Sequence, residues 1–191
     1  MEYIKTAYTP KFVYYPACGA DYLPKEVFGA NNVIHLSLPE NEKTEQYLRR
    51  LGDGIKLMGD MEKSPLADES VDLIWLCLGG GVIKKEVLTD FLRVLKKDGL
   101  IAIEESQHVD SFRYKWQELV DCFSGMEKMT IPDKFAIPEQ VLTIFEESDP
   151  DNRYTGVVVD TKEKLMDKVI ESHGKFAGRE YLMDYALFRK R

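Results

Sequence analysis

Cysteine is scarce in this chain, and the three that occur, Cys18, Cys77 and Cys122, form neither a CxxC pair nor an even disulfide framework. Reduced thiols are expected. His35, His108 and His173 show no metal-ligand spacing, so no zinc or other metal site is expected. No apolar run approaches the roughly 20 residues that a membrane-spanning helix needs. The opening MEYIKTAYTPK has no apolar stretch or small-residue cleavage site of a secretory signal. A soluble, cytoplasmic protein without membrane contact is therefore expected. Basic charge is also in the minority: 26 basic against 33 acidic residues leave a net charge of −7, which repels polyanions. The run Arg189-Lys190-Arg191 reads as a solvated tail, and nucleic acid is not expected as a partner. Internal repeats, low-complexity stretches and linkers are missing as well, which predicts one domain over residues 1–191.

What the chain does have is alternation. Apolar runs of strand length occur at Phe12 to Tyr15, Val33 to Leu36, Ile55 to Met58, Val71 to Leu78 and Leu100 to Ile103, bounded by Gly, Asp or Asn. Each is too short for a comfortable helix, so five buried strands are predicted. Helical patterns separate them. Ile83, Val87, Leu88, Phe91, Leu92 and Leu95 put one apolar stripe on a helix that Gly99 is expected to end in a left-handed conformation. Asp21 can cap a short helix carrying Leu23, Val27 and Phe28, with Pro24 in its first turn and Gly29 ending it. Residues 42–51 form a weaker helical pattern. Because parallel strands must be joined by crossovers, the alternation predicts a doubly wound α/β fold: a mostly parallel, seven-stranded sheet with helices on both faces.

The second half is less regular. Phe112, Trp116, Leu119, Val120 and Phe123 make a helical stripe, and residues 124–140 read as an irregular loop able to act as a lid. A strand at Val141 to Phe145, a short run at Gly156 to Val159, a helix carrying Leu165, Met166, Val169 and Ile170, and a final strand at Tyr181 to Phe188 complete the pattern.

In doubly wound sheets, ligands bind beyond the carboxyl ends of the strands, where the chain order reverses. After the first strand stands "FVYYPACGADYLPKEVFG", in which Gly19 alone remains of a dinucleotide-type glycine pattern. Later segments are more specific. "IKLMGDMEKSPLADESVDLIWL" runs from a strand through Gly59-Asp60-Met61 and Pro65-Leu66 to Asp68-Glu69-Ser70-Val71-Asp72 and the next strand, and "FLRVLKKDGLIAIEE" carries Leu95-Lys96-Lys97-Asp98-Gly99. In this order and at these distances, residues 11–105 resemble class I S-adenosylmethionine-dependent methyltransferases. The opening stretch then stands in the place of the family's glycine-rich motif, with Tyr15 for the usual acid, Ala17 for the first glycine and Asp21 for the third.

The resemblance implies S-adenosylmethionine as cofactor, with Tyr15, Pro16, Ala17, Cys18, Gly19, Asp21, Ser37, Leu38, Asp60, Met61, Cys77 and Leu78 around it. Residues 1–105 would form the cofactor half and residues 106–191 the substrate side. Asp60 takes the adenine-binding position, and capping a turn is its bland alternative. Ser37 falls where the family has the carboxylate that holds the ribose; it lacks a bidentate acceptor, so either Glu40 reaches instead or affinity falls. Leu78-Gly79-Gly80-Gly81 would line the floor near the methyl group. The resemblance assigns no catalytic residue, since methyl transfer depends chiefly on orientation. Glu104, Glu105 and His108 are the nearest proton acceptors, with a solvated loop position the simpler reading of His108. The implied function is methyl transfer to a small-molecule or protein acceptor. Its alternatives are an inactive ligand-binding or interaction module of the same fold and, ranked lower, a nicotinamide-dependent oxidoreductase.

Overall fold

The computed structural model describes residues 2–16, 23–37, 53–77, 83–108, 117–132, 141–146, 157–159 and 176–191. The short apolar runs become parallel strands: β1 Val13–Pro16, β2 Val33–Ser37, β3 Ile55–Met58, β4 Val71–Cys77 and β5 Leu95–His108. The chain then adds antiparallel strands: β6 Glu127–Met129, β7 Val141–Glu146, β8 Val157–Val159 and β9 Phe176–Arg189. The order is β3-β2-β1-β4-β5-β9-β7-β8, with β6 also paired to β9. This is the expected mostly parallel sheet with an antiparallel end. β1 to β5, β7 and β9 are its seven principal strands, and the three-residue β6 and β8 add to the antiparallel part.

Strand alternation divides the core between two faces. Val13, Tyr15, Val33, Leu73, Trp75, Leu100 and Ala102 face helices α1 (Glu2–Tyr8) and α2 (Leu23–Phe28), where Ile4 and Phe28 are buried. Tyr14, Ile34, Leu36, Ile74, Leu76, Ile101 and Ile103 face α3 (Lys85–Val94) and the helical turn at 117–121, meeting Val87, Phe91, Val94 and Leu119. Helices thus cover both faces. Among the described residues, none is long and apolar enough to cross a membrane.

Several local expectations need correction. Gly99 does not end α3: the helix stops at Val94, Leu95 is already extended, and the left-handed residue is Asp98 at φ 62°. Gly99 is required for space instead, because a Cβ there would lie 2.7 Å from Leu95 Cδ1 and 2.9 Å from the Lys96 carbonyl oxygen. β3 is not a buried strand, since Ile55 and Met58 are exposed, as is Phe12 ahead of β1. Within the expected irregular loop, Glu127–Met129 is held to β9, because residues 127–129 continue the antiparallel pairing opposite residues 187–189. The basic C-terminus is not a free tail. Lys190 Nζ donates to the carbonyls of Leu92 and Leu95 at 2.8 and 2.7 Å, where the end of a helix favours a cation, and Arg189 stacks on Tyr8. The helical patterns at 42–51 and 165–170, and residues 133–140, lie outside the described residues.

Candidate functional site

β1 lies between β2 and β4, and the chain moves outward from it in both directions, so the order reverses at its carboxyl end. Pro16, Ser37, Met58 and Cys77 end four neighbouring parallel strands on the same edge of the sheet. β5 continues past Cys77, which pairs with Glu104, so that among the described residues Glu105 to His108 pair only with β9. His108 opposite Tyr181 is therefore a strand residue and not a loop residue. Beyond that pair, β9 extends back to Phe176 and carries β7 and β8. At ~3.4 Å per residue, this antiparallel arm projects about 17 Å past the end of β5, along one side of the edge.

Among the described residues, the turn after β3 is the part of the edge that carries side-chain detail. Asp60 has extended backbone and opens a 3₁₀ turn, Met61–Lys63, with its Oδ1 accepting from the Glu62 backbone N–H at 2.8 Å. Its bland role as a cap is thus realised by one oxygen. The exposed carboxylate is held in one orientation, and the described residues give Oδ2 no hydrogen bond. Gly59 before it admits no larger residue easily, since a Cβ would meet Pro65 Cδ at 3.3 Å and Leu36 Cδ1 at 3.5 Å. Met61 packs partly buried on the α3-side core.

The turn is fastened along α3. Lys84, at the start of α3, pairs with Glu62 at 2.6 Å, and this ion pair, with Asp60 nearby, raises the lysine pKa. Further on, buried Asp90 accepts from the Ser64 backbone N–H at 3.1 Å and from its hydroxyl. Arg93 donates to Asp90, to the Asp68 carboxylate at 2.8 Å and to the carbonyls of Leu66 and Ser64 at 2.7 and 3.1 Å. Glu69 and Ser70 then donate their backbone N–H groups to the carbonyls of Arg93 and Val94. Tyr14 lies buried beside this cluster; its hydroxyl pKa is driven well above the ordinary range, by burial first and the Asp90 charge second.

Of the expected site residues, Tyr15, Pro16, Ser37, Asp60, Met61 and Cys77 fall within the described residues; Ala17, Cys18, Gly19, Asp21, Leu38 and Leu78 do not, and neither do Glu40 and residues 79–81. Tyr15 turns its side chain into the α1/α2 core, with its ring centroid 5.9 Å from that of His35. Ser37 and Cys77 end their strands, and Ser37 pairs with Met58. The sequence reading missed Arg93, Asp90 and Ser64. A sequence signal was there: the i, i+3 Asp90–Arg93 pair interrupts the apolar stripe of α3 with charges of opposite sign.

Residues 16–103 match the family model of the methyltransferase domain. No curated protein matches the chain. Among solved structures, the fold is similar to the YcgJ protein from Bacillus subtilis (TM-score 0.58, 14% identity, covering 98% of this chain and 96% of that one). It is also similar to an S-adenosylmethionine-dependent methyltransferase from Thermotoga maritima (TM-score 0.53, 14% identity, 100% and 87% covered). A third is geranyl diphosphate C-methyltransferase from Streptomyces coelicolor, solved with S-adenosyl-L-homocysteine (TM-score 0.52, 14% identity, 95% and 72% covered).

Proposed function

We propose, on the premise that this chain carries a class I S-adenosylmethionine-dependent methyltransferase domain, that it transfers a methyl group to a small-molecule or protein acceptor bound at the carboxyl edge of the sheet. The observation that carries the reading is the turn after β3: a carboxylate fixed in orientation, Asp60, stands at the rim two strands from the point where the chain order reverses. The donor set fits the adenosine end of the cofactor. An acceptor-only carboxylate suits the exocyclic amine of adenine, and half-buried Met61 supplies an apolar neighbour. The turn after β1, with Pro16, Ala17, Cys18, Gly19 and Asp21, would take the methionine end, and Cys77 and Leu78 would border the methyl group.

When bound, S-adenosylmethionine supplies an electrophilic methyl carbon on a sulfonium. The work left to the protein is to hold an acceptor atom in line and to exclude water. Residues 106–191 would provide the acceptor side, with the β7–β9 arm as one wall. Glu104, Glu105 and His108 are the proposed proton acceptors for substrates that must lose a proton.

Ser37 supports a second reading, an inactive binding module, since it stands where the resemblance places a ribose-binding carboxylate. Calorimetric titration with S-adenosylmethionine, S-adenosylhomocysteine and a nicotinamide dinucleotide, followed by transfer of labelled methyl groups to an acceptor panel, separates the readings. The expected result is binding of both sulfur compounds, weakened roughly 10- to 100-fold in Asp60→Ala as a hydrogen bond to a charged group is lost, and label transfer. Binding without transfer to any acceptor favours the module. Binding of the nicotinamide compound alone overturns both.

A further inference from the structure

The Arg93 cluster has no part in the chemistry described above, yet both terminal nitrogens of the guanidinium donate to one object, the segment from Ser64 to Asp68. That segment follows directly from the 3₁₀ turn opened by Asp60. Two of the acceptors are main-chain carbonyls, so the contact fixes the path of the backbone and not merely a side chain. Asp90 completes the clamp: its Oδ1 accepts from Arg93, and its Oδ2 accepts from the backbone N–H and hydroxyl of Ser64. The planar fork of arginine suits this multiple contact, and the single ammonium of lysine does not.

We infer that Arg93, with Asp90, is a positioning residue for adenine recognition: it fixes the Ser64–Asp68 backbone, and through it sets the orientation of the Asp60 carboxylate. The inference rests on the adenine reading of Asp60. Control of cofactor discrimination then lies on α3, away from the binding edge. Arg93 touches no ligand in this scheme. Loss of the clamp acts by letting the 60–68 backbone sample orientations in which Asp60 no longer faces the amine.

The test compares two probes, S-adenosylhomocysteine and its purine analogue lacking only the 6-amino group, by calorimetry on the wild type, Asp60→Asn, Arg93→Met and Arg93→Lys. The wild type should prefer the amine-bearing probe by about tenfold or more, the worth of a hydrogen bond to a charged acceptor. Asp60→Asn should reduce that preference. Arg93→Met should bring it to within about threefold by the same loss of alignment, and Arg93→Lys should fall between. Asp68→Asn, at an exposed side chain, removes one arm of the clamp with little threat to folding, and should lower the preference in the same direction if Arg93→Met does not fold. A merely structural role would weaken both probes equally and leave their ratio intact. That outcome overturns the inference while sparing the adenine reading. A wild type that binds neither probe, or binds both equally, overturns the adenine reading and the inference with it.

Discussion

Asp72 shows how a single side chain can organise the start of a sheet. Its Oδ2 accepts from the backbone N–H groups of Lys11 and Phe12 at 3.1 and 2.8 Å, and its Oδ1 pairs with Lys96 at 2.8 Å, so the entries to β1, β4 and β5 meet on one carboxylate. Partial burial works to raise its pKa, but the bonds from Lys96 and the two backbone groups outweigh it and hold the group below the ordinary value. Because the folded pKa is depressed, the stabilisation is fully present above the unfolded value, near pH 4, and is lost as pH falls through the lower folded value. Asp72→Asn should lower stability by about 1 kcal/mol at neutral pH, the worth of a partly exposed charged contact. It should also flatten the fall in stability on acidification below pH ~4. Urea unfolding of both proteins across that range checks this; parallel pH profiles would show that Asp72 contributes nothing.

At the scale of elements, the passage from α3 to β5 tests whether space or backbone conformation selects the glycine. Gly99 has no room for a methyl group, since Leu95 is fully buried beside it and the Lys96 carbonyl cannot yield. Asp98 carries the left-handed φ of 62°. Gly99→Ala should therefore cost about 1–3 kcal/mol by overpacking, while Asp98→Gly stays within about 1 kcal/mol, relief of the left-handed penalty offsetting the added chain entropy. Denaturant midpoints of the two variants decide it, and a tolerated Gly99→Ala would contradict the packing reason. This also marks what was legible in the sequence. Periodicity located the buried stripe of α3, because burial and repeat coincide there, and it placed Ile55–Met58 as a strand, though not its exposure at the sheet edge. It placed the helix end at the glycine, since a sequence shows which residue can be left-handed and not which one must be small. It gave no sign of α1, whose seven residues bury Ile4 with little apolar repeat. Nor could it show that β9 runs from Phe176 to Arg189, since each half of that strand is matched by a different partner far away in the chain. After β3, a turn at Gly59-Asp60-Met61 was readable from its motif, and Asp60 caps it. The role of Arg93 was hinted at only by its i, i+3 pair with Asp90, because its contacts to main-chain carbonyls lie 27 and 29 residues distant.

Over the whole molecule, the parallel half and the antiparallel half meet along β5 and β9, and the C-terminus returns to close α3 through Lys190. The parallel half supplies an edge where four strands end together, and the antiparallel half supplies an arm rising beside it. An adenosine on the edge and an acceptor against the arm would then approach each other over the end of β4. A crystal structure of the chain with S-adenosylhomocysteine tests this placement most directly. The adenine amine is expected within hydrogen-bond distance of Asp60 Oδ2 and the amino-acid portion at residues 17–21, beyond the end of β1. Density for the ligand anywhere off the carboxyl edge, with Asp60 left facing solvent, would contradict it.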